Sequence, residues 1–296
     1  MNDACHLPYG TTDDGTYDVA VTPESTLLRH CALRVLDLDH GAAHTLDTGD
    51  SEFLVLPLFG SCTVAVAGHT FELAGRGGVF GEVTDFAYVP RGAQAVISSA
   101  SGARLALPSA RTDADLPPRH GRKEDVPVEL RGAGNCSRQV HNYCLPGTFD
   151  AGRLLVCEVL TPGGNWSSYP PHKHDEARVG RDGTPVESEL EEIYHFEVAG
   201  GPHAFGHQRV YGTAERPLDV FAEVRSGDTV LVPHGWHGPS AAAPGYDLYY
   251  LNVMAGPGPE RAWLIRDDPA HAWVRSAWES QAVDARLPFT AEEGTR

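Results

Sequence analysis

Two histidines separated by one residue, in Pro171-His172-Lys173-His174, are the strongest chemical signal in this chain. Side chains alternate between the two faces of a β-strand, so both imidazoles would point to the same side. Later in the chain come a pair of glutamates, in Leu190-Glu191-Glu192-Ile193-Tyr194, and another histidine, in Pro233-His234-Gly235-Trp236-His237. Three imidazoles and one carboxylate suit a divalent metal with an open coordination position, most simply Zn²⁺, with Mn²⁺ and Fe²⁺ as alternatives. The pattern predicts a metal-dependent enzyme that acts on a small polar molecule.

Strand parity suggests which glutamate is the ligand. Glu192 has the same parity as Tyr194 and Phe196, so it would share their face of a strand. A carboxylate that faces a barrel interior needs a cation or hydrogen-bond donors, because burying it unpaired is costly. Glu192 is therefore preferred, and Glu191, on the opposite face, is predicted to be solvated. Glu191 and Glu187 remain the alternative ligands.

The third histidine follows a Gly/Pro turn that can bring a strand round until His237 points into a barrel. His234 competes for the same role, and spacing alone separates the two only weakly. Any one of these histidines could be an exposed polar residue, and it is their combination with a carboxylate that favours a metal site.

Composition limits the class of protein and its partners. The chain has 296 residues, 32 of them Gly and 22 Pro, and helical periodicity is scarce, which favours an all-β fold of short strands. A net charge of −17 argues against nucleic acid or an anionic membrane as partner, but it allows a small anionic substrate in a locally basic pocket. No secretory signal, membrane-spanning run or C-x-x-C pair is visible, so we predict a cytoplasmic protein whose six cysteines are reduced.

The chain is predicted to contain two related halves. A strand leads into a Pro-x-Gly turn in each, at Tyr88-Val89-Pro90-Arg91-Gly92 and at Leu231-Val232-Pro233-His234-Gly235. The first half has no His-x-His, so residues 1–125 are predicted to form a degenerate, metal-free barrel and residues 126–296 the metal-binding barrel. Residues 109–129 are interpreted as a surface linker, and the Trp-rich tail as a short C-terminal extension.

The histidines, the glutamate and the Pro-x-Gly turn together resemble the cupin pattern, with Asp175 to Glu189 as an inserted loop. Longer strings resemble the 5-deoxy-glucuronate isomerase family of myo-inositol catabolism, which is similar in turn to the uronate ketol isomerases. These strings are Trp166 to Asp175, Leu190 to Tyr194, Gln208 to Tyr211, Asp247 to Gly256 and the junction Arg131 to Val140.

That resemblance implies a bicupin, two jelly-roll β-barrels in tandem. It implies interconversion of 5-deoxy-D-glucuronate and 5-dehydro-2-deoxy-D-gluconate, and it makes His172, His174, Glu192 and His237 the metal ligands. Exposed sheet edges also predict self-association into a homo-oligomer.

An aldose–ketose isomerase must move a proton between C2 and C1, by an enediol or by a hydride shift, and the sequence leaves that choice open. Glu191, Tyr194 and Tyr250 are the candidate catalytic residues. Arg209 is the candidate clamp for the substrate carboxylate, because guanidinium pairs bidentately with carboxylates, and Tyr249 is a second candidate for substrate binding.

Two other functions compete with the isomerase. A cupin dioxygenase would use the same His and Glu residues to hold Fe²⁺ and would consume oxygen. A non-enzymatic sugar-binding cupin would keep its function after metal removal. The fold alone does not choose among these, since one fold hosts many chemistries, and the family-specific strings favour the isomerase.

Overall fold

The computed structural model describes residues 4–258 and 260–289, and most of its regular structure is β-strand. The strands up to residue 121 are β1 (His6–Leu7), β2 (Val19–Val21), β3 (Cys31–Leu38), β4 (Ala43–Asp47), β5 (Ser51–Val66), β6 (His69–Arg76), β7 (Phe86–Val89), β8 (Gln94–Ser98), β9 (Ala103–Arg111) and β10 (Arg119–Gly121). The later strands are β11 (Val128–Arg131), β12 (Arg138–Cys144), β13 (Leu155–Thr161), β14 (Trp166–Ser167), β15 (His172–Lys173), β16 (Asp175–Val179), β17 (Pro185–Glu189), β18 (Glu191–Val198), β19 (Gly206–Tyr211), β20 (Asp219–Val224), β21 (Thr229–Val232), β22 (Trp236–Ala242), β23 (Leu248–Ala255) and β24 (Arg266–Asp267). A single turn of α-helix, α1 (Val274–Ala277), lies near the end of the described chain. The predicted all-β fold class is confirmed.

The first half is built around β5, whose neighbours in the sheet follow the order β10-β7-β5-β9-β3-β2, with β4, β6 and β8 attached. The continuous apolar run in β5 is explained by burial on both faces. Phe53 and Val55 lie in the interior core of this half. Leu54 and Leu56, of opposite parity, lie in a second core that they share with residues of the second half.

The second half consists of a seven-stranded sheet, β1-β21-β18-β23-β13-β12-β11, and a six-stranded sheet, β20-β19-β22-β15-β24 with β14 beside β22. Apolar side chains of both sheets belong to one core, as in a jelly roll. The strands β16 and β17 pair only with each other and form a hairpin between His174 and Glu192. The insertion predicted between these two residues is therefore a hairpin that leaves the barrel and returns to it.

Two buried carboxylates tie the halves together reciprocally. Glu52, on β5, accepts the backbone N–H groups of residues 152–154 at 2.6 to 2.8 Å. Glu191, on β18, accepts the backbone N–H groups of residues 29–31. Because hydrogen bonds to an ionised group are stronger than neutral ones, each carboxylate fixes a loop of the opposite half.

A third contact between the halves is an ion pair without access to solvent. Arg76, from the first half, makes a bidentate pair with Glu158 of β13 at 2.7 and 2.8 Å. His141, Tyr143 and Tyr249 also hydrogen-bond to the Glu158 carboxylate. Full hydrogen bonding of this kind is what makes a buried charge tolerable.

Two short strands, β1 and β10, form pairings that the sequence does not reveal. The strand β1 pairs with β21, so the N-terminal segment lies in a sheet of the second half. Part of the predicted linker, residues 109–129, is strand, since β10 pairs with β7. Such pairing uses backbone groups alone and leaves no alternation in the sequence. No helix in residues 4–258 and 260–289 is long and apolar enough to cross a membrane.

Candidate metal centre and substrate cavity

Three of the histidines singled out in the sequence converge inside the second barrel. The strands β15 and β22 pair so that His172 stands directly opposite His237, and His174 follows on the same face as His172. One nitrogen from each imidazole lies within 4.8 Å of the others. All three side chains are buried, so the fold itself holds the imidazoles together.

Glu192 completes the cluster from the facing sheet. It lies on β18 opposite Val232, and its Oε2 is 3.2 Å from His174 Nε2 and 3.1 Å from His237 Nε2. These three atoms are buried and lack a partner with hydrogen-bond geometry. Buried polar atoms without partners are costly, and a cation among them would supply what they lack. The residues present therefore fit a divalent metal with three nitrogen donors and one oxygen donor.

Two members of the cluster are held in the protonation states that a metal needs, whereas Glu192 outweighs burial and raises the pKa of His174. Burial, followed by proximity to His237 and His174, lowers the pKa of His172 well below its usual range, so its imidazole is neutral. Burial alone would raise the pKa of Glu192, but His174 and His237 outweigh it and lower the pKa to about 2. A neutral imidazole and an ionised carboxylate are the forms that coordinate metals.

Backbone carbonyls orient two of the imidazoles. His172 Nδ1 lies 3.2 Å from the carbonyl oxygen of Pro170, and His237 Nδ1 lies 3.2 Å from that of Gly235. An Nδ1–H that donates to a carbonyl leaves the Nε2 lone pair free, which is the usual way in which proteins fix a metal-binding tautomer.

The alternative ligands from the sequence lie elsewhere. His234 is only half-buried on the turn and is not part of the cluster. Glu187 faces the ammonium group of Lys173, 3.2 Å away, in the β16–β17 hairpin. Glu191 has the parity opposite to Glu192, as predicted, but it is buried and not solvated, because it accepts the N–H groups of residues 29–31.

A cavity of about 180 Å³ opens beside the cluster. Its lining combines two of the clustered side chains with polar and cationic groups: Arg131, Arg138, Val140, Val159, Ser168, His172, Glu192, Tyr194, Tyr250, Asn252, Trp263, Ile265 and Arg275. Because this cavity reaches the histidine cluster, we take it as the candidate substrate site.

Two of the predicted tyrosines reach this cavity and one does not. Ser168 Oγ lies 2.9 Å from the Tyr194 hydroxyl and 3.3 Å from the Tyr250 hydroxyl, so three hydroxyl groups form a connected set. Ser168 has a φ of +46°, a left-handed conformation that is uncommon outside glycine and that often marks a functional site. Tyr249 points the other way and donates to Glu158 at 2.9 Å.

The predicted carboxylate clamp, Arg209, is not among the residues that line the cavity. Its guanidinium donates to the carbonyl of Val220 at 2.8 Å and pairs with the exposed carboxylate of Asp219 at the far edge of the six-stranded sheet. Its side chain therefore has partners already, away from the histidine cluster.

Sequence reasoning missed three arginines that do line the cavity, Arg131, Arg138 and Arg275. The first two lie in the junction Arg131 to Val140, which resembles the isomerase family but whose arginines have no predicted role. That resemblance is the sequence signal from which Arg131 and Arg138 could have been predicted as site residues. Arg275 comes from α1, near the end of the described chain, where no motif marked it.

The sequence also matches a known protein family. A model described as the KduI/IolB family matches residues 6–274. The chain belongs to this family. Among its relatives, the 5-deoxy-glucuronate isomerase of Geobacillus kaustophilus is 42% identical over 258 residues, which cover 86% of this chain and 90% of that protein. The resemblance stated from the sequence is thereby confirmed.

Solved structures confirm the architecture of this KduI/IolB member. A crystal structure of an IolB-like protein from Salmonella typhimurium superimposes with a TM-score of 0.80 at 33% identity, covering 91% of this chain and 98% of that one. Oxalate decarboxylase of Bacillus subtilis, described with Mn(II) centres, superimposes with a TM-score of 0.58 at 13% identity, covering 84% and 74%. At that identity the second likeness concerns the fold alone, and the fold is the predicted all-β bicupin.

Proposed function

We propose that this protein is a metal-dependent aldose–ketose isomerase that converts 5-deoxy-D-glucuronate to 5-dehydro-2-deoxy-D-gluconate. The observation that supports it most is the cavity in which two side chains of a His₃Glu cluster and several cationic groups meet. A sugar acid offers carbonyl and hydroxyl oxygens at one end and a carboxylate at the other, which matches this lining. The names of the relatives supply the substrate.

The metal ligands in this proposal are His172, His174, Glu192 and His237. Zn²⁺ is our first choice for the metal, with Mn²⁺ or Fe²⁺ as alternatives, since nitrogen and carboxylate donors serve all three. When bound, such an ion acts as a Lewis acid that favours negative charge on the oxygens at C1 and C2.

The hydroxyl groups at the cavity wall are proposed to handle the protons. Isomerisation removes a proton from C2, adds one at C1 and shifts a hydroxyl proton between the two oxygens. Tyr194, Ser168 and Tyr250 offer three hydroxyls within hydrogen-bond reach of one another, and a connected set of this kind can pass a proton along. Tyr250 is held by a further hydrogen bond to Ser167 Oγ at 2.9 Å.

The remaining two predicted residues receive different roles. We assign Glu191 to the contact between the halves, where its hydrogen bonds fix residues 29–31. We assign Tyr249 to the Glu158 network, because its hydroxyl is used there. Neither assignment places the side chain on the substrate.

The test is turnover of 5-deoxy-D-glucuronate by the purified protein, followed by NMR, before and after chelation and with Zn²⁺, Mn²⁺ or Fe²⁺ restored. We expect the 2-deoxy-5-keto acid to form only in the metal-loaded protein. His237→Gln should abolish turnover and His234→Gln should retain it. No turnover by folded, metal-loaded protein would overturn the proposal. In D₂O, deuterium on the hydroxymethyl carbon of the product, which was the aldehyde carbon C1 of the substrate, would indicate proton transfer. Its absence would indicate transfer without exchange with solvent, as in a hydride shift.

A further inference from the structure

The three arginines at the cavity differ in how their charge is balanced. Arg131 makes a bidentate pair with Glu129 at 3.0 and 2.7 Å. Arg275 pairs with Asp267 through two hydrogen bonds. In the described chain, the Arg138 guanidinium makes one hydrogen bond, to the carbonyl of Cys136 at 2.9 Å, and no ion pair.

Arg138 is also the most deeply placed of the three. It is 5% exposed, whereas the side chains of Arg131 and Arg275 are 29% and 38% exposed. Burial lowers the pKa of Arg138 to about 10, and it remains a cation at neutral pH. A buried cation without a carboxylate partner destabilises the fold unless a bound ligand supplies the opposite charge.

The neighbours of Arg138 make this cost larger. Arg138 is directly opposite Arg131 in the pairing of β11 with β12, and like charges opposite each other in a sheet repel. Arg138 and Arg275 also approach the same ring, that of Trp278, at 5.4 and 5.3 Å from its centroid. Of the three arginines, two have a carboxylate partner and Arg138 has none.

Two further residues of the cavity lining carry hydrogen-bond donors without partners. The side-chain nitrogens Asn252 Nδ2 and Trp263 Nε1 are buried and have no hydrogen-bond partner, and both residues line the cavity. Asn252 is 3% exposed. Donors of this kind suit the hydroxyl groups of a sugar chain, which supports a polyhydroxy acid as the occupant.

We propose that Arg138 binds the carboxylate of the sugar-acid substrate and thereby sets the specificity of the enzyme for an acid over a neutral sugar. The inference rests on the proposed function for the identity of the substrate. Arg131 and Arg275 are already paired with Glu129 and Asp267, which leaves the guanidinium of Arg138 for the ligand.

Arg138→Met tests this with two substrates, 5-deoxy-D-glucuronate and 5-deoxy-D-glucose, in which a hydroxymethyl group replaces the carboxylate. For the acid, we expect kcat/KM to fall on the order of 100-fold, mostly through KM, as for a buried charge pair that loses one partner. For the neutral sugar, kcat/KM and the metal content should not change. Arg225→Met, at an exposed pair with Glu223, is the matched control.

A purely structural role would affect both substrates alike, and that outcome would overturn the proposal. Loss of acid preference in Arg209→Met, with Arg138→Met unaffected, would overturn it too. Should Arg138→Met fail to fold, Arg138→Lys provides the test, because it keeps the charge and loses the bidentate geometry, so its KM for the acid should rise less.

Binding of D-glucuronate, measured by calorimetry, separates this inference from the proposed function. If the wild type turns over no 5-deoxy-D-glucuronate but binds D-glucuronate through Arg138, the isomerase fails and the carboxylate site stands. If turnover occurs and Arg138→Met keeps its preference for the acid, the isomerase stands and the inference fails. If the wild type neither turns over nor binds these acids, both fail.

Discussion

Phe53 and Glu192 occupy the same position in the two halves of the molecule. Phe53 pairs with Val89 immediately before a Pro-x-Gly turn, and Glu192 pairs with Val232 immediately before the other. The residue before each also corresponds, since Glu52 and Glu191 both reach across to backbone N–H groups of the opposite half. One half keeps a carboxylate for its interior and the other has a phenyl ring, which offers no ligand atom.

The adjacent acidic residues Glu191 and Glu192 therefore serve two different purposes. On β18, alternation sends Glu192 to the histidine cluster and Glu191 to the other half. On β5, Phe53 at the interior position belongs to an apolar core, while Glu52 joins the halves. The contact between the halves and the candidate metal centre thus depend on neighbouring residues that point in opposite directions.

Glu192→Gln and Glu191→Gln should therefore fail in different ways. Glu192→Gln removes a charged ligand, so we expect metal affinity to fall by more than about 100-fold, since even residues that only orient ligands contribute 10- to 100-fold. Metal content by mass spectrometry and turnover should both be lost while thermal unfolding changes little. Glu191→Gln should keep the metal and unfold at a lower temperature, because its hydrogen bonds to residues 29–31 weaken. Equal metal loss in both variants would contradict this assignment.

The adjacent tyrosines offer a second contrast. Tyr250→Phe removes a hydroxyl from the proposed proton path, and we expect kcat to fall by about 100-fold with the metal retained. Tyr249→Phe removes a donor from the buried Glu158 carboxylate and should lower the free energy of unfolding by about 1.5 to 3 kcal/mol. Its kcat should stay near that of the wild type. Steady-state kinetics and urea unfolding of both variants check this. A larger loss of kcat in Tyr249→Phe than in Tyr250→Phe would contradict the two assignments.

The parts of the site that the sequence could predict depend on short-range rules. His172 and His174 share a face because strand side chains alternate, and Glu192 follows from its parity with Tyr194 by the same rule. The hairpin between His174 and Glu192 agrees with the predicted insertion, and its tip, Gly180-Arg181-Asp182-Gly183, has the residues typical of a turn.

The remaining features depend on contacts between distant segments, which leave little trace in the local sequence. The prediction from parity that Glu191 is solvated is wrong, because Glu191 accepts main-chain N–H groups about 160 residues away, and main-chain groups carry no residue-type signal. Arg138 and Arg275 meet only because α1 returns to β12. The sequence alone favours Arg209 as the clamp because it does not reveal that Arg138 and Arg275 reach the cavity.

Gly238 is predicted to position Ser168. A Cβ atom at Gly238 would lie 1.7 Å from the Ser168 carbonyl oxygen, and its φ of +100° disfavours other residues. Gly238→Ala combines this clash with backbone strain, so we expect about 3 kcal/mol of lost stability and reduced kcat. Gly245, with a φ of +90° and open space around it, is the matched control. Gly245→Ala should cost about 1 kcal/mol by strain alone and leave kcat unchanged. Similar unfolding temperatures for the two variants would contradict the prediction that a Cβ atom at Gly238 clashes with Ser168.

The Arg76–Glu158 pair predicts how stability responds to acid. Burial acts to raise the pKa of Glu158, but Arg76 and His141 outweigh it and hold the pKa far below its usual range. A depressed pKa in the folded protein means that the contribution to stability is complete above the unfolded pKa of about 4.3 and is lost as the pH falls below it.

Arg76→Met should destabilise the protein at pH 7 by about 3 to 5 kcal/mol, because it leaves a buried carboxylate without its cation. As the pH falls the difference from the wild type should shrink, since burial without Arg76 raises the pKa of Glu158 and a proton can neutralise it in the variant. Below about pH 4.3 it should shrink further, because the wild type then loses its own contribution. Urea unfolding of both proteins from pH 7 to pH 3 measures this difference. Arg76→Met combined with Glu158→Gln should recover part of the stability at pH 7, because no unpaired charge is then buried. A difference that stays constant with pH would show that the loss comes from packing and not from the charge of Glu158.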